Sequence, residues 1–137
     1  MYKTYDKWAE IAEKQFISDF EVLDTKKYDH IVFAGMGGSG AIGDLFSAIL
    51  SKTNVHVDVV KGYLLPKTID KNSLVITTSI SGNTVETLTV LENAREIGCQ
   101  TIAFTDGGKM ETYCQEKNIQ FRKIPLQHSP RVSFTTF

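Results

Sequence analysis

The chain has 137 residues, 42% of them apolar and 23% charged, enough for one domain around one core. Fifteen basic against sixteen acidic residues leave a formal charge near −1, which excludes long-range attraction of nucleic acid. No apolar run approaches the roughly 18 residues that would span a bilayer, and MYKTYDKWAEIAEKQF lacks the apolar centre of a signal peptide, so a cytoplasmic protein without membrane partners is expected.

From Tyr5 to Leu23, large apolar residues recur as Trp8, Ala12, Phe16, Phe20 and Leu23, a helical spacing opposite a charged face of Asp6, Lys7, Glu10, Glu13 and Lys14. This predicts an amphipathic arm docked on the domain. HIVFAG follows, an apolar run of the kind that forms a parallel strand buried on both faces. Gly35 to Gly40 turns the chain into a helix, SGAIGDLFSAILSK. Val55 to Val60 is a second strand, and KGYLLPKTIDKN connects it onward, with Pro66 opposing a long helix there. SLVITTS is a third strand. GNTVETLTVLENAREIG is the clearest helix, with a stripe of Val85, Leu88, Leu91, Ala94 and Ile97, a capping box of Asn83 with Glu86, and Gly98 as its stop. QTIAFT is strand four, DGG a turn, KMETYCQEK a short helix and IQFRKIP strand five. After SPR, the closing VSFTTF is apolar and unfinished, and reads as the start of something longer. Cys99 and Cys114 lie fifteen apart, a spacing for neither zinc nor redox chemistry, and are expected as buried reduced thiols. His30 at the start of the first strand and His56 inside the second are expected to be structural.

Strands alternating with helices imply right-handed crossovers and a three-layer α/β sandwich with a five-stranded parallel sheet. In such sheets ligands sit beyond the carboxyl ends of the strands. Two loops lie at such ends. GMGGSG, residues 35 to 40, matches G-x-G-x-x-G, which lets backbone N–H groups and a helix dipole approach an oxyanion. The dinucleotide version of that pattern needs an acidic residue ending the second strand. Asp58 falls inside the strand instead, and Lys61 and Gly62 occupy its end.

The second loop, SISGNT, offers three hydroxyls in six residues: Ser79, Ser81 and Thr84. Capping the helix needs only one of Ser81 or Asn83. A phosphate monoester presents three strong acceptor oxygens, which three hydroxyls and the free N–H groups of a helix start would suit. The pair of loops therefore favours a small phosphorylated metabolite over a dinucleotide. Were the hydroxyls buried and already mated within the protein, no cradle would be left.

GMGGSGAIGD after a strand, with SISGNTVETL about forty residues on, resembles the sugar isomerase (SIS) domain family, and SPR near the end fits its phosphoglucose/phosphomannose isomerase branch. The resemblance covers about residue 30 to 137. It implies a flavodoxin-like parallel sheet, no metal or organic cofactor, and hexose 6-phosphate as ligand. By motif, Ser79, Ser81 and Thr84 would bind the phosphate, Gly37, Gly38 and Ser39 would line the sugar pocket, and Arg131 would lie near the reacting carbons. The family's catalytic Glu and ring-opening His come from a second SIS domain or a partner subunit, which implies a missing partner and a homodimer. A sugar-phosphate sensor would keep the hydroxyl loop without the base, and a nucleotide-dependent dehydrogenase would require the missing acidic strand end.

Overall fold

The computed structural model describes residues 5–16, 24 and 27–126, with the backbone alone for Gln15 and Phe16. Its first element is helix α1, Trp8–Phe16. Trp8, Ile11 and Ala12 are half-buried, while the charged residues around them face out, as amphipathic spacing dictates. Glu10 and Lys14 pair at 2.7 Å one turn apart on the exposed side. The rest of the predicted arm, residues 17–23, and the closing SPRVSFTTF with His128 and Arg131 lie outside the described residues.

The body alternates strand and helix as the sequence predicts: β1 His30–Gly35, α2 Gly38–Leu50, β2 His56–Val60, β3 Leu74–Thr78, α3 Val85–Ile97, β4 Gln100–Thr105, α4 Gly108–Lys117 and β5 Gln120–Lys123. The strands form one parallel sheet in the order β2-β1-β3-β4-β5. His56 opens β2 rather than lying inside it. Because side chains alternate along a strand, the sheet has two apolar faces. Ile31, Phe33, Leu74, Ile76 and Ile102 line one; there α2 packs close, with Phe46 stacked on Phe33 at 5.3 Å between centroids. Val32, Ala34, Val60 and Val75 line the other, under Val90 and Ala94 of α3. Alongside, Leu91 and Ala103 meet Met110 and Cys114 of α4.

The buried face of α3 differs from the predicted stripe. Thr87, Val90, Leu91 and Ala94 are buried, whereas Val85 and Ile97 are 60% and 46% exposed. A spacing of three advances by 300° rather than a full turn, so such a stripe drifts by about 60° per step. Centred on Leu91, it has rotated about 120° away from the sheet at either end. The helix stops at Gly98, which takes the left-handed conformation at φ 86 as predicted, and α4 stops the same way on Asn118. Both cysteines are free and buried. Burial pushes the Cys114 thiol up to about 11 and raises that of Cys99 as well, so neither offers a reactive thiolate near neutral pH.

Candidate functional site

Helices α2 and α3 follow adjacent strands and pack on opposite faces of the sheet, the switch-point topology beside which open α/β sheets bind ligands. Strands β1 and β3 are in register to their last residues, Gly35 opposite Thr78, so the two predicted loops leave the sheet side by side. A methyl group on Gly35 would lie 3.0 Å from the Thr78 carbonyl oxygen, and only glycine lets the loops approach this closely.

In the first loop, Gly37 takes φ 56 and stands at the cap position of α2, with no side-chain bond to the helix. Ser39 lies half-buried in the first turn, its N–H donating to the Met36 carbonyl at 3.1 Å. Gly38 is half-buried and Gly37 exposed. Gly40 and Gly43 set the depth of the helix: a methyl group at Gly40 would lie 2.7 Å from the Gly35 carbonyl oxygen, and one at Gly43 would lie 2.9 Å from Phe33.

In the second loop, Ser79 is 2% exposed, and its hydroxyl donates to Thr84 Oγ1 at 2.9 Å. Ser79 is thus buried and mated within the protein, against the expectation of three open hydroxyls, and Thr84 and Ser81 remain as the hydroxyls open to a ligand. A hydroxyl both donates and accepts, so Thr84, half-buried at the cap position of α3, keeps its own proton for a further acceptor. Ser81 is exposed, and its oxygen accepts from the Asn83 N–H at 3.3 Å. The pair Ser79–Thr84 and the outlying Ser81 therefore flank the start of α3. No side chain among the described residues caps that helix, and its first-turn N–H groups have no acceptor within it. An open helix start with hydroxyls beside it can receive an anion.

The capping box predicted from Asn83 and Glu86 does not form. Asn83 is bound elsewhere: its side-chain amide donates to the Ser81 carbonyl at 2.9 Å and its Oδ1 accepts from the Lys109 N–H at 3.2 Å. With these bonds Asn83 ties the hydroxyl loop to the start of α4. The Met110 N–H donates to the Gly82 carbonyl at 2.9 Å and the Asp106 N–H to that of Ile80 at 3.0 Å. Thr105 Oγ1 folds the DGG turn by donating to the Gly107 carbonyl at 2.8 Å and accepting from the Gly107 N–H at 3.1 Å. Sequence reasoning missed this supporting role; the DGG glycines are the available signal, and by themselves they predict only a turn.

Lys61, just past the end of β2, lays its stem over Gly40 and its ammonium on Asp44 at 2.5 Å. Asp58 is engaged by His30 and His56 instead. The position where a dinucleotide ribose needs a carboxylate is thus held by a lysine. The predicted Arg131 falls outside the described residues, while Gly37, Gly38, Ser39, Ser79, Ser81 and Thr84 lie on the two loops that leave the sheet side by side.

Comparison with known proteins agrees with the fold. The SIS domain family matches residues 25–136. The bifunctional phosphoglucose/phosphomannose isomerase of Aquifex aeolicus is 39% identical over 124 residues, covering 86% of this chain and 39% of the relative. That of Caldicellulosiruptor bescii is 37% identical over 106 residues, covering 77% of this chain and 31% of the relative. The chain therefore spans between three and four tenths of the length of these relatives. Among solved structures, a protein of E. coli CFT073 determined as a ligand complex superposes with a TM-score of 0.73 at 22% identity, covering 97% of this chain and 79% of that one. With the family match covering most of the chain and the same parallel sheet beneath it, this chain belongs to the SIS domain family.

Proposed function

We propose that the chain supplies the sugar-phosphate site of a cytoplasmic aldose–ketose isomerase that interconverts glucose 6-phosphate or mannose 6-phosphate with fructose 6-phosphate. The observation that carries this reading is the juxtaposition of the two loops: an uncapped helix start with Ser79, Ser81 and Thr84 beside it, next to the glycine rim of the neighbouring strand. The phosphate would sit on the hydroxyls and the first-turn N–H groups of α3, and the sugar would run over Gly37, Gly38 and Ser39.

In this reaction a base moves a proton between the first and second carbons through an enediolate, whose negative oxygen needs a fixed positive neighbour. Arg131 is proposed for that role, since a guanidinium gives charge and hydrogen bonds without losing its own proton. One well-placed donor of this kind is worth about 3–4 kcal/mol of barrier. The base and the ring-opening acid are proposed to come from a second SIS domain or a partner subunit, in a homodimer, with no metal or organic cofactor in the reaction.

The chain alone is then expected to bind fructose 6-phosphate weakly and to turn over little or none of it. A coupled assay that follows glucose 6-phosphate tests the turnover, and calorimetry with fructose 6-phosphate tests the site. Robust turnover by the chain alone would overturn the assignment of the base to another domain, and absence of hexose phosphate binding would overturn the site.

A further inference from the structure

At the opposite end of β1 from the glycine loop, about 16 Å away along the strand, the parallel ladder brings together three residues that the sugar-phosphate reading does not use. His30 of β1 and His56 of β2 are register partners, so their side chains emerge on the same face, and Asp58 two residues on shares it. His30 Nε2 lies 2.8 Å and His56 Nε2 3.2 Å from the same oxygen, Asp58 Oδ2. The two rings stand 4.5 Å apart between centroids at a tilt of 58°. One ligand atom from each residue can be chosen so that all three lie within 4.8 Å of one another.

We propose that His30, His56 and Asp58 form a binding site for a divalent zinc-type ion that braces edge strand β2 against β1. Ligand atoms in a tetrahedral zinc site lie about 3.3 Å apart, given bonds of about 2.0–2.1 Å. The two measured separations, 2.8 and 3.2 Å, lie just below that value and all three ligand atoms lie within 4.8 Å of one another, so small rotations of the side chains suffice. The donor set selects the ion class: two imidazoles and one carboxylate suit zinc and its neighbours rather than magnesium or calcium. Neutral imidazoles with one carboxylate also carry a single negative charge, which a dication more than balances. The access is graded in the right sense. The His30 side chain is 11% exposed and anchors the site from within, whereas those of His56 and Asp58 are 63% and 35% exposed and leave a path from solvent and room for a water ligand. His56 is further fixed by its N–H, which donates to the Asp29 carbonyl at 2.8 Å. An edge strand is the part of a sheet with bonds on one side only, and an ion that binds the folded chain alone stabilises it by mass action.

The test is a titration of the chelator-stripped chain with zinc chloride by calorimetry, with thermal melting in parallel. One ion per chain at low-micromolar affinity is expected, with a melting temperature that rises with zinc concentration. His56→Ala and Asp58→Asn should each weaken binding by at least about tenfold, whereas Glu111→Gln, on α4 beside Lys123 of β5 at the far edge of the sheet, should leave it unchanged. Cobalt(II) on the unsubstituted chain should give the visible bands of a low-symmetry nitrogen–oxygen site, a readout that does not depend on any variant folding. Binding only at millimolar zinc, stoichiometric binding that survives both substitutions, or loss of binding in Glu111→Gln would overturn the assignment.

Discussion

At the end of β1, three glycines decide the structure by what they lack. Gly35 lets the two loops approach, and Gly40 and Gly43 let α2 settle onto the sheet where any methyl group would strike backbone or Phe33. At the end of β3, a few steps across the sheet, the loop is decided by what it offers. Ser79 donates to Thr84, Asn83 bridges to the Lys109 N–H, and the Ile80 and Gly82 carbonyls are met from the DGG side. The difference is instructive. A glycine motif can be explained largely by the packing of its own helix, so it is weak evidence for a ligand. Ser79 is buried and mated to Thr84 and so is withdrawn from the predicted trio. The uncapped start of α3, with the half-buried Thr84 and the exposed Ser81, is not required by the helix, so these are the stronger pointer to a bound anion.

Substitutions can break this contrast, beginning with the largest effect. Gly82 stands at φ 66, and a methyl group there would run into the Gly107 carbonyl oxygen. Gly82→Ala combines backbone strain with a backbone clash, and should lower stability by about 3–5 kcal/mol, read from denaturant unfolding. Within the first loop, Gly40→Ala should cost about 2–3 kcal/mol through overpacking. Gly37 has open space around it and a positive φ alone, so Gly37→Ala should cost about 1–2 kcal/mol. Equal losses at the two positions would refute the division of labour among these glycines.

In the second loop, Thr84→Ala should weaken hexose 6-phosphate binding by about 1–3 kcal/mol, as for a lost bond to a charged group. Ser79→Ala, whose hydroxyl proton is spent on Thr84 Oγ1, should weaken it by less. Calorimetric affinity that does not change would remove the hydroxyls from the site. Thr87 gives the smallest effect and the sharpest control. Its hydroxyl is buried one turn behind Thr84 and has no partner among the described residues. Thr87→Val should therefore gain up to about 1 kcal/mol in stability and leave ligand affinity alone. A loss of affinity would place the anion deeper than Thr84.

The strands are legible because apolar runs bounded by glycine and polar residues leave few alternatives: HIVFAG and QTIAFT become β1 and β4 residue for residue. The two loops are legible for a related reason, since glycine and hydroxyl residues at strand ends have few structural uses. The inner face of α3 is harder. Val90 completes it and Val85 leaves it, because periodicity counted in threes does not say where along the helix the sheet is met. Local pattern makes Asn83 a cap, since its true partner, the Lys109 N–H, is 26 residues away and invisible to any short window.

Chain order and residue type alone thus determined a parallel α/β sheet and the loops at its carboxyl ends, because burial on both faces and tight turns restrict composition locally. Only the tertiary structure decided which polar atoms meet: Ser79 with Thr84, the hydroxyl loop with the DGG turn, and His30 with His56 and Asp58 across two strands. Those pairings depend on strand register and on the depth at which helices seat, and both are set by long-range packing that no short stretch of sequence contains.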